Sequence, residues 1–290
     1  MWSIESPYLL IFALSVLSCQ PDSAPNKTAA STQISEAKPI YVRQPVPTVQ
    51  GRFPTPPGYE RVPVDSTSFA HYLRNLPLKP TGSKVLHYDG TSKSNYDVYA
   101  AVVDLPIGNE DLHQCADAVM RLRAEHLWRQ GEYERIHFNF TNGMRVDYTE
   151  WMQGKRMRIR GNKTWWEAAA APSNTYDDLW NYLELIFMYA GTASLEKELR
   201  PTAIDHARAG DVLIRGGFPG HAVLLIDQAR HRETGEMIYL LAQSYMPAQE
   251  IQVLINRNDP DLSPWYSMSG AQIDTPEWTF ERGQLRRFVD

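Results

Sequence analysis

Three residues of this 290-residue chain have the types and the order that nucleophilic chemistry needs. Cys115 lies in an amphipathic segment, His221 follows the turn Gly-Gly-Phe-Pro-Gly and opens an apolar run, and Gln243 ends the next apolar run. A cysteine sulfur attacks carbonyls, an imidazole transfers the proton, and an amide oxygen can fix the tautomer of that imidazole. The set predicts Cys115 as nucleophile, His221 as base and Gln243 as the residue that orients the base.

The order of these residues resembles that of papain-like cell-wall cysteine peptidases, the NlpC-like and CHAP-type families. The resemblance rests on Cys115, on Gly210-Asp211 before a strand, on the run GHAVLLID that contains His221, and on Gln243. It implies hydrolysis of amide bonds in cell-wall peptides by an α+β, papain-like domain. The chain from about Phe53 onward also resembles a bacterial lipoprotein family known only as a domain of unknown function.

Three further residues are assigned to this predicted site. Gln114 precedes the nucleophile, and its side chain, with a backbone N–H near Cys115, could stabilise an oxyanion. Arg121 is predicted to bind a substrate carboxylate, with a helix-surface charge as the alternative. Asp211 is also predicted to bind the substrate, together with Arg121. Gln243 could instead only satisfy backbone groups at a strand end.

The predicted helix around Cys115 leaves its role open. Asn109 is the predicted N-cap, which places Cys115 six residues into the helix and on its apolar stripe. That position is typical of a buried, inert thiol, whereas the peptidases hold their nucleophile at a helix N-terminus, where the helix dipole favours a thiolate. Both readings of Cys115 stay open at the sequence level.

The rest of the pattern predicts helices packed on a mostly antiparallel sheet. The turn Asn142-Gly143 predicts a β-hairpin. Helices are predicted at 109–128, 176–190 and 195–199, and strands at 98–105, 137–141, 144–148, 156–160, 211–214, 222–226, 238–242, 251–255 and 285–289.

The first residues indicate export. Residues 8–17 form a short apolar run that predicts a signal peptide over 1–18, and Leu-Ser-Cys19 resembles a lipobox, so Cys19 is predicted to carry lipid. An ordinary secretory signal is the alternative. The proline-rich residues 19–57 are predicted to contain the lipid attachment site and a tether, and residues 58–290 are predicted to form a single domain. The predicted location is a bacterial cell envelope.

Composition limits the partners. The net charge of −5 argues against a nucleic-acid-binding protein, and no close metal-ligand spacing or cofactor motif occurs, so we expect neither a metal nor a cofactor. Peptidoglycan, or an envelope glycan or peptide, is the expected partner. Arg156, Arg158 and Arg160 could bind an anionic glycan or phosphate, or form a solvated sheet face. A non-catalytic lipoprotein of the same fold, binding such a partner, is the alternative function.

Overall fold

The computed structural model describes residues 47–289. The predicted signal peptide, Cys19 and most of the predicted tether lie outside the described residues. The end of the predicted tether is described. Val49 lies in a short helix, is fully buried, and its N–H donates a hydrogen bond to the carbonyl of Leu76. The structured part therefore begins before residue 58, because apolar side chains between the prolines pack into the core.

Within residues 47–289 the chain forms short and medium-length elements. The α-helices are α1 (Val49–Arg52), α2 (Phe69–Arg74), α3 (Cys115–Gln130), α4 (Tyr148–Met152), α5 (Tyr176–Tyr189) and α6 (Thr192–Glu198). The strands are β1 (Tyr59–Arg61), β2 (Tyr99–Val102), β3 (His137–Asn139), β4 (Arg145–Asp147), β5 (Lys155–Arg160), β6 (Lys163–Ala168), β7 (Arg200–Pro201), β8 (Val212–Arg215), β9 (His221–His231), β10 (Met237–Gln243), β11 (Gln252–Leu254), β12 (Trp265–Ser267), β13 (Gln272–Asp274), β14 (Thr279–Glu281) and β15 (Leu285–Arg287).

One nine-stranded sheet organises these elements. Its order is β2-β11-β10-β9-β8-β15-β7, with β1 paired to β9 and β12 paired to β10. Every pairing is antiparallel. The fold is therefore mixed α+β with a large antiparallel sheet, as the sequence predicts.

Both faces of the sheet are covered, which explains the apolar run that begins at residue 222. Ala222, Leu224 and Ile226 face a core shared with α3 and α5, whereas Val223 and Leu225 face a second core. The β13–β14 hairpin contributes Ile273 and Phe280 to this second core. Alternate residues of a strand point to opposite faces, so a strand buried on both faces has a continuous apolar sequence.

Several predicted elements are confirmed with shifted ends. The hairpin forms at Asn142-Gly143, where Gly143 has φ +87° and β3 pairs with β4. Helix α5 matches its prediction closely, and a threonine, Thr175, caps its N-terminus. Strand β9 extends beyond its predicted end to His231, because its distal half pairs with β1.

Candidate active site

Cys115 is the first residue of α3, so the helix starts later than predicted. Asp111 falls in the first turn of the predicted helix, but the structure uses it differently. Its carboxylate accepts hydrogen bonds from Gln114 Nε2 at 3.1 Å and from the Ala248 N–H at 2.7 Å. The carbonyl of His113 accepts a bond from Ser244 Oγ at 2.9 Å. These contacts to the chain after β10 hold the segment before Cys115 outside the helix.

The Cys115 sulfur faces backbone donors. The nearby backbone N–H groups of Ala222, Ala116 and Cys115 itself favour the ionised form of the sulfur. The side chain is nevertheless buried, with the residue only 7% exposed. This burial, reinforced by the nearby Asp117 carboxyl, raises the pKa of the Cys115 thiol to about 11. The thiol is therefore protonated at neutral pH.

His221 begins β9, beside the backbone amide that contacts the sulfur. The preceding turn packs on the start of α6 so closely that a Cβ on Gly220 would lie 2.4 Å from Thr192 Oγ1. The turn also uses Gly217 at φ +120°, a conformation that L side chains rarely adopt. Glycines at these positions thus allow the tight turn that places His221.

The His221 ring is buried and oriented by hydrogen bonding. Its Nε2 lies 2.8 Å from Gln243 Oε1, and its Nδ1 makes no hydrogen bond to any other described residue. The rings of Tyr245, Trp278 and Phe280 lie 4.9, 5.4 and 6.1 Å from the imidazole ring, centroid to centroid. Burial, with a smaller contribution from the Lys93 ammonium, lowers the pKa of His221 to about 4. The imidazole is therefore neutral at physiological pH.

Two charged residues that the sequence analysis missed complete this cluster. Glu277, between β13 and β14, accepts from Gln243 Nε2 at 2.7 Å and from Lys93 Nζ at 2.6 Å. The Lys93 ammonium also lies 5.3 Å from the ring centre of Tyr245. These residues are separated by 184 positions in sequence and belong to no local motif, so only the fold reveals them.

Near the start of β9 the structure places a protonated thiol, whose sulfur lies near the Ala222 amide, and a neutral imidazole that is held by the Gln243 amide. A family model described as "Domain of unknown function (4846)" matches residues 49–287. The chain belongs to this family. No curated protein and no solved structure matches the chain. The match starts at residue 49, close to where the structured part of this domain of unknown function begins.

Gln114 directly precedes Cys115, but its side-chain amide is hydrogen-bonded to Asp111. It is the N-cap residue of α3, and its backbone N–H donates to Asp117 Oδ2 at 2.9 Å. Its side-chain nitrogen donates to Asp111 and is therefore not directed at the sulfur. The backbone donors around Cys115 are better placed than this side chain for an oxyanion.

Arg121 does not line the site, contrary to the prediction. It is fully buried two turns along α3, where Nε donates to Glu125 at 2.8 Å and Nη1 donates to the Pro106 carbonyl at 2.6 Å. The guanidinium also lies 4.8 Å from the ring centre of Trp180. Its place among apolar residues of the helix reflects a buried ion pair, and no substrate carboxylate reaches it there.

Asp211 is also absent from the site. It precedes β8 and is therefore at the opposite end of this strand from the turn that leads to His221. The carboxylate is fully buried and accepts two bonds from Arg287, at 2.6 and 2.7 Å. The Gly-Asp pair builds a turn and an ion pair away from Cys115, and the substrate-binding assignment of Asp211 stays a prediction.

The three arginines of the predicted basic strip lie on the separate β5–β6 hairpin. Arg156 lies 3.9 Å from the ring centre of Trp151 and donates to that residue's carbonyl, whereas Arg158 and Arg160 are exposed. Arg158 pairs across the hairpin with Trp165 and forms an ion pair with Glu167. This hairpin presents a basic and aromatic surface away from Cys115.

Two features are absent from residues 47–289. In this range no group of three or more histidine, cysteine or carboxylate side chains could hold a metal ion. Over the same range no helix has the length and apolar character needed to cross a bilayer.

Proposed function

We propose that this protein hydrolyses amide bonds with Cys115 as nucleophile and His221 as base. The observation that carries the proposal is the His221–Gln243 hydrogen bond of 2.8 Å, directly beside the Ala222 amide that contacts the Cys115 sulfur. The papain-like order of cysteine, histidine and polar residue is supported by the position of Cys115 at the start of α3. The positive end of the helix dipole and the free N–H groups of the first turn are directed at that position.

The proposed reaction starts from neutral partners. Nδ1 of His221 takes the proton of the Cys115 thiol while the sulfur attacks the amide carbonyl, and the backbone N–H groups stabilise the oxyanion. The C–N bond then breaks, the imidazolium gives its proton to the leaving amine, and a thioester remains on Cys115. Water, deprotonated by His221, attacks the thioester, releases the carboxylic acid and restores the thiol.

The proposed substrate is the peptide part of peptidoglycan, and the proposed location is the bacterial cell envelope. Export is supported by the apolar run at residues 8–17, and lipid attachment by Cys19 directly after it. A tether between Cys19 and the structured domain would let a membrane-anchored domain reach the cell wall. Phe218, in the turn before His221, is fully exposed and so available to contact a substrate near the site.

The catalytic proposal is tested on purified protein with murein stem peptides as substrates. The wild-type protein is expected to release new amino and carboxyl termini, and Cys115→Ala is expected to release none above background. Glu233→Ala, at an exposed position in the turn between β9 and β10, is the control and should cleave at the wild-type rate. Equal cleavage by wild type and Cys115→Ala would refute the proposal.

Lipid attachment is tested separately by cell fractionation of the full chain in a bacterial host. Wild type is expected in the membrane fraction and to take up labelled fatty acid, and Cys19→Ala is expected to lose both properties. Retention of the label by Cys19→Ala would rule out lipid attachment at this residue.

The β5–β6 hairpin supports a second candidate function, the binding of an anionic envelope glycan without catalysis. Trp165 is 44% exposed and lies opposite Arg158, while Arg160 and Lys163 pair at the tip of the hairpin. An exposed indole stacks on sugar faces, and neighbouring cations bind carboxylates or phosphates.

Co-sedimentation with insoluble murein distinguishes this function from hydrolysis. Under the binding proposal Trp165→Ala and Arg158→Ala weaken the interaction and Cys115→Ala does not. Undiminished binding by the Trp165→Ala, Arg158→Ala double variant would exclude this surface.

A further inference from the structure

Glu277 occupies a position from which it controls the orientation of the Gln243 amide. Its Oε2 accepts a bond from Gln243 Nε2 at 2.7 Å, and the same oxygen accepts a bond from Lys93 Nζ at 2.6 Å. The side chains of Lys93 and Glu277 are 7% and 14% exposed, so the ion pair is largely shielded from water. The carboxylate is thus held at a fixed place on the far side of Gln243 from His221.

The chemistry of these groups allows only one orientation of the amide. A carboxylate accepts hydrogen bonds and has no proton to donate, so it must face the NH₂ group of Gln243. The amide oxygen then faces His221 Nε2 and can only accept, so Nε2 must carry the proton. A neutral imidazole has a single N–H, and its Nδ1 is therefore left with a free lone pair.

From this chain of bonds we propose that Glu277, anchored by Lys93, is a positioning residue that keeps His221 in the Nε2–H tautomer. The tautomer leaves Nδ1 able to accept a proton, and the proposed function uses that proton acceptor for the Cys115 thiol. The inference about the tautomer itself requires no catalysis. Its consequence for the reaction rate rests on the proposed function.

The surroundings of the ring add no competing donor to Nε2. The rings of Tyr245, Trp278 and Phe280 surround the imidazole, and the charged Lys93 and Glu277 lie beyond Gln243. Gln243 itself is almost fully buried, with 2% of its surface exposed, so water does not replace its two partners. A rotation of the amide by 180° would set its NH₂ against Nε2 and its oxygen against the Glu277 carboxylate, which is electrostatically unfavourable.

The direct test is ¹⁵N nuclear magnetic resonance of the histidine side chains at pH 7 in the full chain. Long-range ¹H–¹⁵N correlations show which ring nitrogen carries the proton, and His221→Asn assigns the signals. We expect wild type to hold the Nε2–H form, and Glu277→Gln to shift a measurable fraction of His221 to the Nδ1–H form. The new glutamine can present either its oxygen or its NH₂ group to Gln243, so it no longer imposes one orientation.

A matched control separates this role from a general effect on folding. Glu281→Gln makes the same change at an exposed position in β14 of the same hairpin, and it should leave the tautomer unchanged. Lys93→Arg keeps the cation and should also retain the Nε2–H form. An Nδ1–H form in wild type, or an unchanged tautomer in a folded Glu277→Gln protein, would overturn the inference.

The outcome is separable from that of the proposed function. If Cys115 hydrolyses peptides, Glu277→Gln should lower kcat by about 10-fold to 100-fold with little change in KM, since proton transfer and not substrate binding is affected. If wild type and Cys115→Ala do not differ in hydrolysis, the proposed function fails, but the tautomer shift still decides the role of Glu277. Hydrolysis that depends on Cys115 but is unaffected by a tautomer change would refute the kinetic consequence alone.

Discussion

The two ends of the β8–β9 hairpin are both buried and polar, but their hydrogen bonding differs. At the Asp211 end both carboxylate oxygens accept bonds, two of them from Arg287 and one from the backbone N–H of Arg208 at 2.9 Å. At the turn end Nδ1 of His221 makes no bond to another described residue, and the Cys115 sulfur lies near the Ala222 amide. The first end is an ion pair with its acceptors satisfied, and the second holds the imidazole and the thiol to which the proposed function assigns the chemistry.

Cavity size does not identify the proposed site. A cleft of about 480 Å³ lies at the Asp211 end and includes Arg123, Arg208 and Arg287 in its lining, but neither Cys115 nor His221. Chemical capability depends on groups with unused bonding capacity and shifted pKa values, and these groups lie at the turn end. Under the proposed function, one end of the hairpin stabilises the fold and the other carries the chemistry.

Loss of the base should produce the largest effect. His221→Ala removes the acceptor for the thiol proton, and we expect kcat for peptide hydrolysis to fall about 10³-fold. Steady-state kinetics with murein peptides measures this fall, with circular dichroism to confirm that the variant is folded. A decrease of less than a few-fold in a folded variant would show that the turn end is not catalytic.

Loss of the carboxylate at the other end should affect stability instead. Asp211→Asn removes the partner of a buried guanidinium, and we expect the free energy of unfolding to fall by about 3 kcal/mol. Urea denaturation measures the change, and hydrolysis measured well below the unfolding midpoint should remain near the wild-type rate. A specific loss of activity without loss of stability would support Asp211 as a substrate-binding residue.

Acid should destabilise the turn end through His221. Its pKa is about 4 in the folded protein and 6.5 in its ordinary state, so the unfolded chain binds the proton more tightly. Stability is thus lost as the pH falls from about 6.5 to about 4, by up to about 3 kcal/mol for this buried group. Urea midpoints across this range should drop less steeply in His221→Asn, and equal slopes in the two proteins would contradict the assignment.

The turn itself should show the smallest effects. In Gly220→Ala the new Cβ would lie 2.4 Å from Thr192 Oγ1 and 2.5 Å from the Gly217 carbonyl oxygen, so the turn must shift. We expect a loss of about 1–2 kcal/mol of stability and a lower kcat, because His221 follows directly. Gly217→Ala meets no neighbour and should cost about 1 kcal/mol through its φ of +120° alone. Equal kcat values for Gly220→Ala and wild type would show that the turn does not position His221.

The sequence was informative where local patterns decide the structure. The Asn142-Gly143 turn, helix α5 and the antiparallel strands follow from turn chemistry and periodicity. The start of α3 was misplaced because Asp111 has a residue type that suits a first helical turn, yet it bonds the distant Ala248 amide. The partners of Arg121 and Asp211 were not predicted for a similar reason, since these buried contacts are set by packing and by residues elsewhere in the fold.

The candidate site was only partly visible in the sequence. His221 and Gln243 stand out because each lies at the end of an apolar run, and Cys115 stands out through its order with them, although its place at the start of α3 was not predicted. Lys93 and Glu277 lie in connecting segments, and only the sheet topology brings them to Gln243. The protonation states of the site also depend on burial, which no local pattern reveals.

The rate at which iodoacetamide alkylates Cys115 in the native protein, measured against pH, tests the central claim most directly. The account predicts labelling of native wild type at neutral pH, assisted by His221 and decreasing as His221 is protonated near pH 4. In His221→Ala the neutral-pH rate should be lost, and labelling should rise only as the pH approaches the thiol pKa of about 11. Labelling of wild type only after denaturation would show that Cys115 is an inert core thiol and would contradict the account.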